Sequence, residues 1–204
     1  PRLRANYERI RQAFAGLDAH IHYSAKANGN LAVLTALINA GAGIDAVSGG
    51  EIHRALAAGA DPVRIVFAGV GKTVPELRYA LRVGVGWINV ENVAELDHID
   101  ALALETGRES VRVALRLNPD VAASTHPHIA TGHGGAKFGL AAPIVAEVLA
   151  QTSRWPRITL AGIHVHIGSQ LGDVDATRRA VQAALDLIAP YPHIRTVNIV
   201  GGLP

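Results

Sequence analysis

A single lysine stands between two alanines in YSAKANGN, residues 23–30. Small apolar neighbours offer nothing to a solvated lysine. They suit an amine that is held still, partly desolvated and open to a carbonyl compound. Desolvation favours the neutral amine, and a neutral amine forms Schiff bases. With the two-residue period of a strand, His22, Ser24 and Lys26 share one face and Tyr23 and Ala25 the other. The plain alternative is a lysine at a strand end that snorkels into water. A second grouping is HVHIGSQ, residues 164–170. His164 and His166 lie two apart and point the same way in a strand. The turn that follows, Gly168-Ser169-Gln170, offers backbone N–H groups and a hydroxyl suited to a phosphate. Two chemistries fit. One is a His-x-His metal pair with imidazoles as zinc ligands. The other is a site where one imidazole lies flat on an aromatic ring and the turn binds that compound's phosphate.

Further residues could complete either site. IVGGLP, 199–204, ends a strand with Gly201 and Gly202, whose bare amides could face a phosphate. In GIDAVSGGEI, 43–52, Ser48 and Glu51 have the spacing of a capping box. Asp45 lies in the apolar strand before them and needs a partner, and Lys26 on the preceding strand is a cation within reach. Arg116, inside ALRLNPD, stays charged in an apolar strand and needs an anion or hydroxyl partner, a structural salt bridge being the plain reading. GVGKT, 69–73, resembles half of a phosphate loop but lacks the full spacing, so nucleotide binding is not read from it.

The elements that must position these residues alternate. Strands are expected at 21–27, 43–48, 64–69, 87–92, 111–118, 160–168 and 196–202, and helices at 30–40, 50–59, 74–83, 92–106, 142–151 and 173–189. Strand followed by helix, about seven times over, predicts an α/β fold with a parallel sheet. Polar groups gather at the carboxyl ends of the strands: Lys26 and Asn28, Asp45 and Ser48, Lys72, Asn89 and Glu91, Arg116 and Asn118, His164 and His166. A (β/α)8 TIM-type barrel brings all such ends to one face, whereas an open sheet converges only those near its switch point. About seven strands predict an incomplete barrel. The chain opens inside an amphipathic helix pattern without an initiator Met and stops after a strand, as expected of a fragment truncated at its C-terminal end. The irregular stretch 119–139, rich in His, Thr and Gly, is expected to be a functional loop.

Composition narrows the class. The 204 residues are 49% hydrophobic and 18% charged, with net charge +2 and no basic run, which argues against a nucleic-acid partner. Mean hydropathy is +0.21, yet the apolar runs are short and broken, so no membrane partner is expected. With no cysteine there is no disulfide framework, thiolate nucleophile or Cys-based metal site. A cytoplasmic location is the expectation.

A Schiff-base lysine, an imidazole beside a phosphate turn and a later glycine pair together describe one cofactor, pyridoxal 5'-phosphate (PLP). In these features the chain resembles the barrel-fold, alanine-racemase-type PLP decarboxylases, and within them the diaminopimelate decarboxylase branch. The resemblance runs through YSAKANGN, GIDAVSGGEIHRAL, IVFAGVGKT, NVENVAEL, ALRLNPDV, THPHIATGHGGAKFGL and GIHVHIGSQL. It implies that residues 1–204 form a PLP-binding barrel domain lacking its last strand and the C-terminal β-domain. It also implies that Lys26 carries the cofactor, His166 stacks on its ring, and Ser169, Gly201 and Gly202 hold its phosphate, with Asp45 and Arg116 lining the pocket. Lys26 and His166 would be catalytic, and no metal is implied. The reaction implied is decarboxylation of meso-2,6-diaminopimelate to L-lysine by a homodimeric full-length enzyme, with little turnover by this stretch alone. Where the family runs three glycines, this chain has Val200-Gly201-Gly202. Other readings stay open from the residues: a carboxynorspermidine- or arginine-type decarboxylase, a metal-dependent barrel hydrolase using His164 and His166, or a barrel that binds without catalysing.

Overall fold

Short strand-forming runs alternate with helical stretches whose apolar residues recur every three or four positions. A computed structural model describes residues 2–120, 138–168 and 174–200. It divides into two units, Pro1–Ile88 and Asn89–Pro204, with the boundary inside a strand.

The first unit begins with α1 (Arg2–Ala13) and continues with β1 (His22–Ser24), α2 (Leu31–Ile38), β2 (Gly43–Ala46), α3 (Gly49–Ala57), β3 (Ile65–Phe67), α4 (Val74–Val83) and the start of β4 (Trp87–Val90). The strands pair in chain order and all in parallel: Ser24 with Asp45, Asp45 with Val66, Val66 with Trp87. β2 and β3 are buried along their whole length, as expected of strands covered on both faces. Ile44, Ile52, Ile65, Phe67 and Leu77 are fully enclosed, each worth about 1.5–3 kcal/mol in burial.

The second unit carries α5 (Val93–Glu105), β5 (Val111–Asn118), the two-residue β6 (Leu140–Ala141), α6 (Ala142–Ala150), β7 (Ile158–Val165), α7 (Val174–Ile188) and β8 (Thr196–Ile199). β7 runs parallel beside β5 and β8 beside β7, while β6 pairs with the last two residues of β5. Helix α7 buries Ala176, Ala180, Ala184 and Ile188, one residue per turn on a single stripe. Between Val113 and Ala114 the β5–β7 register shifts, so that β7 carries Ala161 as an extra residue between the partners Leu160 and Gly162.

Every expected strand and helix is found, with ends moved by a few residues. The expected strand 21–27 is the informative exception. β1 stops at Ser24, and Ala25–Ala27 form a turn of 3-10 helix. Most of the stretch expected as a functional loop, with His126, His128 and His133, lies outside the described residues.

Candidate active site

In the first unit the site is built at the carboxyl ends of β1 and β2. The 3-10 turn after β1 rotates the chain so that Ala25 is buried and Lys26 is exposed. The desolvated lysine expected from its alanine neighbours is therefore corrected. The turn ends the strand alternation that would have placed Lys26 inward with Ser24, and the small Ala25 takes the inward place. Asp45 is 9% exposed, and Ser24 Oγ donates to its Oδ2 at 2.7 Å. Burial pushes the Asp45 carboxyl above its ordinary range, while the Ser24 hydrogen bond and the Lys26 charge draw it down. The hydrogen-bonding partner of Asp45 is thus Ser24, its register neighbour, and Lys26 acts on it as a nearby charge. Ser24 was legible as a member of the same strand face, though not as this partner.

The turn leaving β2 is fastened by carboxylates. Ser48 Oγ accepts the Glu51 N–H at 3.2 Å, the half of the capping box expected from the spacing. The Glu51 carboxylate then accepts from Val47 N at 2.8 Å, one residue before the cap. Helix α5 repeats the arrangement: Asn92 caps it, and the Glu95 carboxylate accepts the Glu91 N–H at 2.7 Å.

In the second unit Arg116 is buried in β5. Its Nη1 donates to both oxygens of Glu91, at 2.8 and 3.0 Å, and its guanidinium lies 5.4 Å from the centre of the Phe138 ring. The structural salt bridge foreseen for Arg116 is present. Glu91 stood among the polar strand ends in the sequence, but only packing pairs it with Arg116. Arg116, His164 and Asn198 occupy one register row across β5, β7 and β8. His164 is buried at 2% exposure, whereas His166 follows the end of β7 and is half-buried. Among the described residues no three His, Asp or Glu side chains gather as a metal-ligand set. Ser169, Gly201 and Gly202 lie outside the described residues.

A family model for the pyridoxal binding domain of pyridoxal-dependent decarboxylases matches residues 1–196. Diaminopimelate decarboxylase of Neisseria meningitidis serogroup B is 41% identical over 182 residues, 89% of this chain and 44% of that protein. The crystal structure of diaminopimelate decarboxylase from Helicobacter pylori complexed with L-lysine superimposes with a TM-score of 0.88 at 37% identity, covering 96% of this chain and 50% of that one. The M. jannaschii enzyme in co-complex with L-lysine gives a TM-score of 0.89 at 34% identity, covering 98% and 49%. The chain thus spans about half the length of the curated relatives it matches. The likeness over nearly the whole chain shows the expected fold class, the α/β fold of the TIM-barrel domain of PLP decarboxylases. Among the described residues no helix is long and apolar enough to cross a membrane. By the match over residues 1–196, this chain belongs to the pyridoxal-dependent decarboxylases, an amino-acid decarboxylase family, as their pyridoxal-binding domain.

Proposed function

We propose that residues 1–204 are the cofactor-carrying barrel domain of a cytoplasmic, homodimeric enzyme that decarboxylates meso-2,6-diaminopimelate to L-lysine. The observation that carries the reading is the lysine of YSAKANGN, exposed at the carboxyl end of β1 with the Asp45 carboxylate in electrostatic reach, in a chain about 40% identical to diaminopimelate decarboxylases.

The donor chemistry of these side chains supports a PLP site. Lys26 presents a primary amine that a carbonyl compound can reach, which a lysine buried inside the strand would not. Asp45 lies within electrostatic reach of that amine. His166 offers the flat face of an imidazole just past the end of β7. Arg116, its charge balanced by Glu91, contributes a rigid, buried guanidinium near the end of β5. In this reading Ser169, Gly201 and Gly202 hold the phosphate. PLP, when bound, supplies the electron sink into which the carbon–carboxylate bond breaks. Orientation and charge are the protein's part. The remainder of the enzyme would supply the acidic partner of the pyridine nitrogen and the contacts to the distal end of the substrate.

Borohydride trapping tests the reading. The chain is mixed with PLP, reduced and mapped by peptide mass. A pyridoxyl adduct on Lys26 that is lost in Lys26→Ala is expected, and an adduct on other lysines alone would overturn it. In the full-length protein, CO2 should be released from meso-diaminopimelate and not from arginine or ornithine.

A further inference from the structure

The stretch GVGKT, from whose spacing no nucleotide binding is read, connects β3 to α4 and opens a capping arrangement that reaches beyond its own helix. Thr73 caps α4. Its hydroxyl accepts the Glu76 N–H at 3.4 Å, while Glu76 Oε2 accepts the Thr73 N–H at 3.0 Å and the Thr73 hydroxyl at 2.7 Å. The other carboxylate oxygen, Oε1, leaves the helix and accepts the backbone N–H of Gly49 at 3.0 Å. Gly49 is the first residue of α3, and N–H groups of a first helical turn have no partner within the helix. One carboxylate therefore closes the N-termini of two successive helices.

The closeness is built into the sequence of both turns. A Cβ at Gly49 would sit 3.1 Å from Glu76 Cγ, so the first glycine of SGGE makes room for this side chain. The hydrogen bonds from Gly49 and Thr73 hold the Glu76 carboxyl below its ordinary range, the sign of an acceptor used in its ionised form. On the other side of the same turn, Glu51 holds the Val47 N–H and Ser48 the Glu51 N–H. Asp45 precedes Val47 by two residues on β2, so the turn that Glu76 fastens sets where β2 ends.

We propose that Glu76 is a positioning residue of the cofactor site, fixing the β2–α3 turn and through it the Asp45 carboxylate beside Lys26. The role toward PLP rests on the reading of Lys26 and Asp45 given above, whereas the brace itself does not.

The test uses the full chain as wild type, Glu76→Ala, Glu76→Gln and Thr73→Ala, with folding verified by circular dichroism. Three quantities are read: amide exchange at Gly49, the carboxyl titration of Asp45 by carbon NMR without PLP, and PLP affinity by absorbance. In Glu76→Ala the Gly49 amide should lose about tenfold in protection, the scale of one charge-assisted hydrogen bond. The Asp45 midpoint should fall toward the ordinary carboxylate range as burial relaxes, and PLP binding should weaken. Glu76→Gln, which keeps one acceptor oxygen, should lie between, and it serves as the probe if the alanine variant does not fold. Thr73→Ala weakens the α4 cap but leaves Oε1 on Gly49, so Asp45 should titrate as in wild type. Wild-type values for Gly49 and Asp45 in the folded Glu76 variants would overturn the proposal, as would an Asp45 shift in Thr73→Ala as large as theirs. If wild type forms no PLP adduct on Lys26, the cofactor reading fails on its own, and Gly49 and Asp45 still decide the brace.

Discussion

Arg116 and Glu91 form an ion pair inside the second unit, with both carboxylate oxygens on one Nη1 and each side chain only 6% exposed. Two charges removed from water this far are stable only together, because each alone keeps its desolvation cost without the attraction. Arg116→Met or Glu91→Gln should therefore cost about 3–5 kcal/mol in urea unfolding. The double variant should cost clearly less than the sum of the two. An additive result would show that the pair is not coupled.

Lys26 behaves oppositely, since its side chain is exposed on a 3-10 turn. Lys26→Ala should change the unfolding free energy by no more than about 0.5 kcal/mol. The same variant should lose all covalent PLP on borohydride reduction. A large stability loss would mark Lys26 as a structural residue instead.

Asp45 makes stability depend on pH in a direction set by its burial. Its carboxyl lies above the ordinary range in the folded chain, with desolvation the largest cause. A group with a raised folded pKa binds its proton more tightly when folded. Its contribution is present below the unfolded pKa and is lost as pH rises through the folded one. Wild type should thus lose stability relative to Asp45→Asn as pH rises through the Asp45 titration. Thermal unfolding of both proteins across the acid range measures this, and parallel curves would contradict the assignment.

Gly162 follows the extra residue of β7 and lies against β8. A Cβ there would meet the Thr196 carbonyl oxygen at 2.5 Å. Backbone cannot yield as a flexible side chain can, so Gly162→Ala should destabilise by about 1–3 kcal/mol. Amide exchange should rise first in β8, whose Thr196 pairs with Gly162. Unchanged exchange there would mean that the strands adjust without parting.

Much of the local framework was legible in the sequence. The alternation of strands and helices, the polar strand ends and the S-x-x-E spacing at 48–51 follow from periodicity and capping chemistry, which act over a few residues. Residue type and strand position drew attention to Lys26, Asp45 and Arg116, and the family resemblance to His166. Their partners were not legible in the same way. Ser24 meets Asp45 across 21 residues and Arg116 meets Glu91 across 25, separations over which sequence spacing carries no signal.

The sequence by itself determined the element types, the family and the chemistry-bearing side chains, because each depends on local pattern. Tertiary structure alone decided three things. It ended β1 at Ser24 and so turned Lys26 outward. It inserted Ala161 into β7, and because side chains alternate with a period of two, that one residue sets His164 in the register row of Arg116. It also sent Glu76 from its own helix to the start of α3, across 27 residues. Each depends on packing between elements distant in sequence, where a one-residue shift reverses the direction of a side chain.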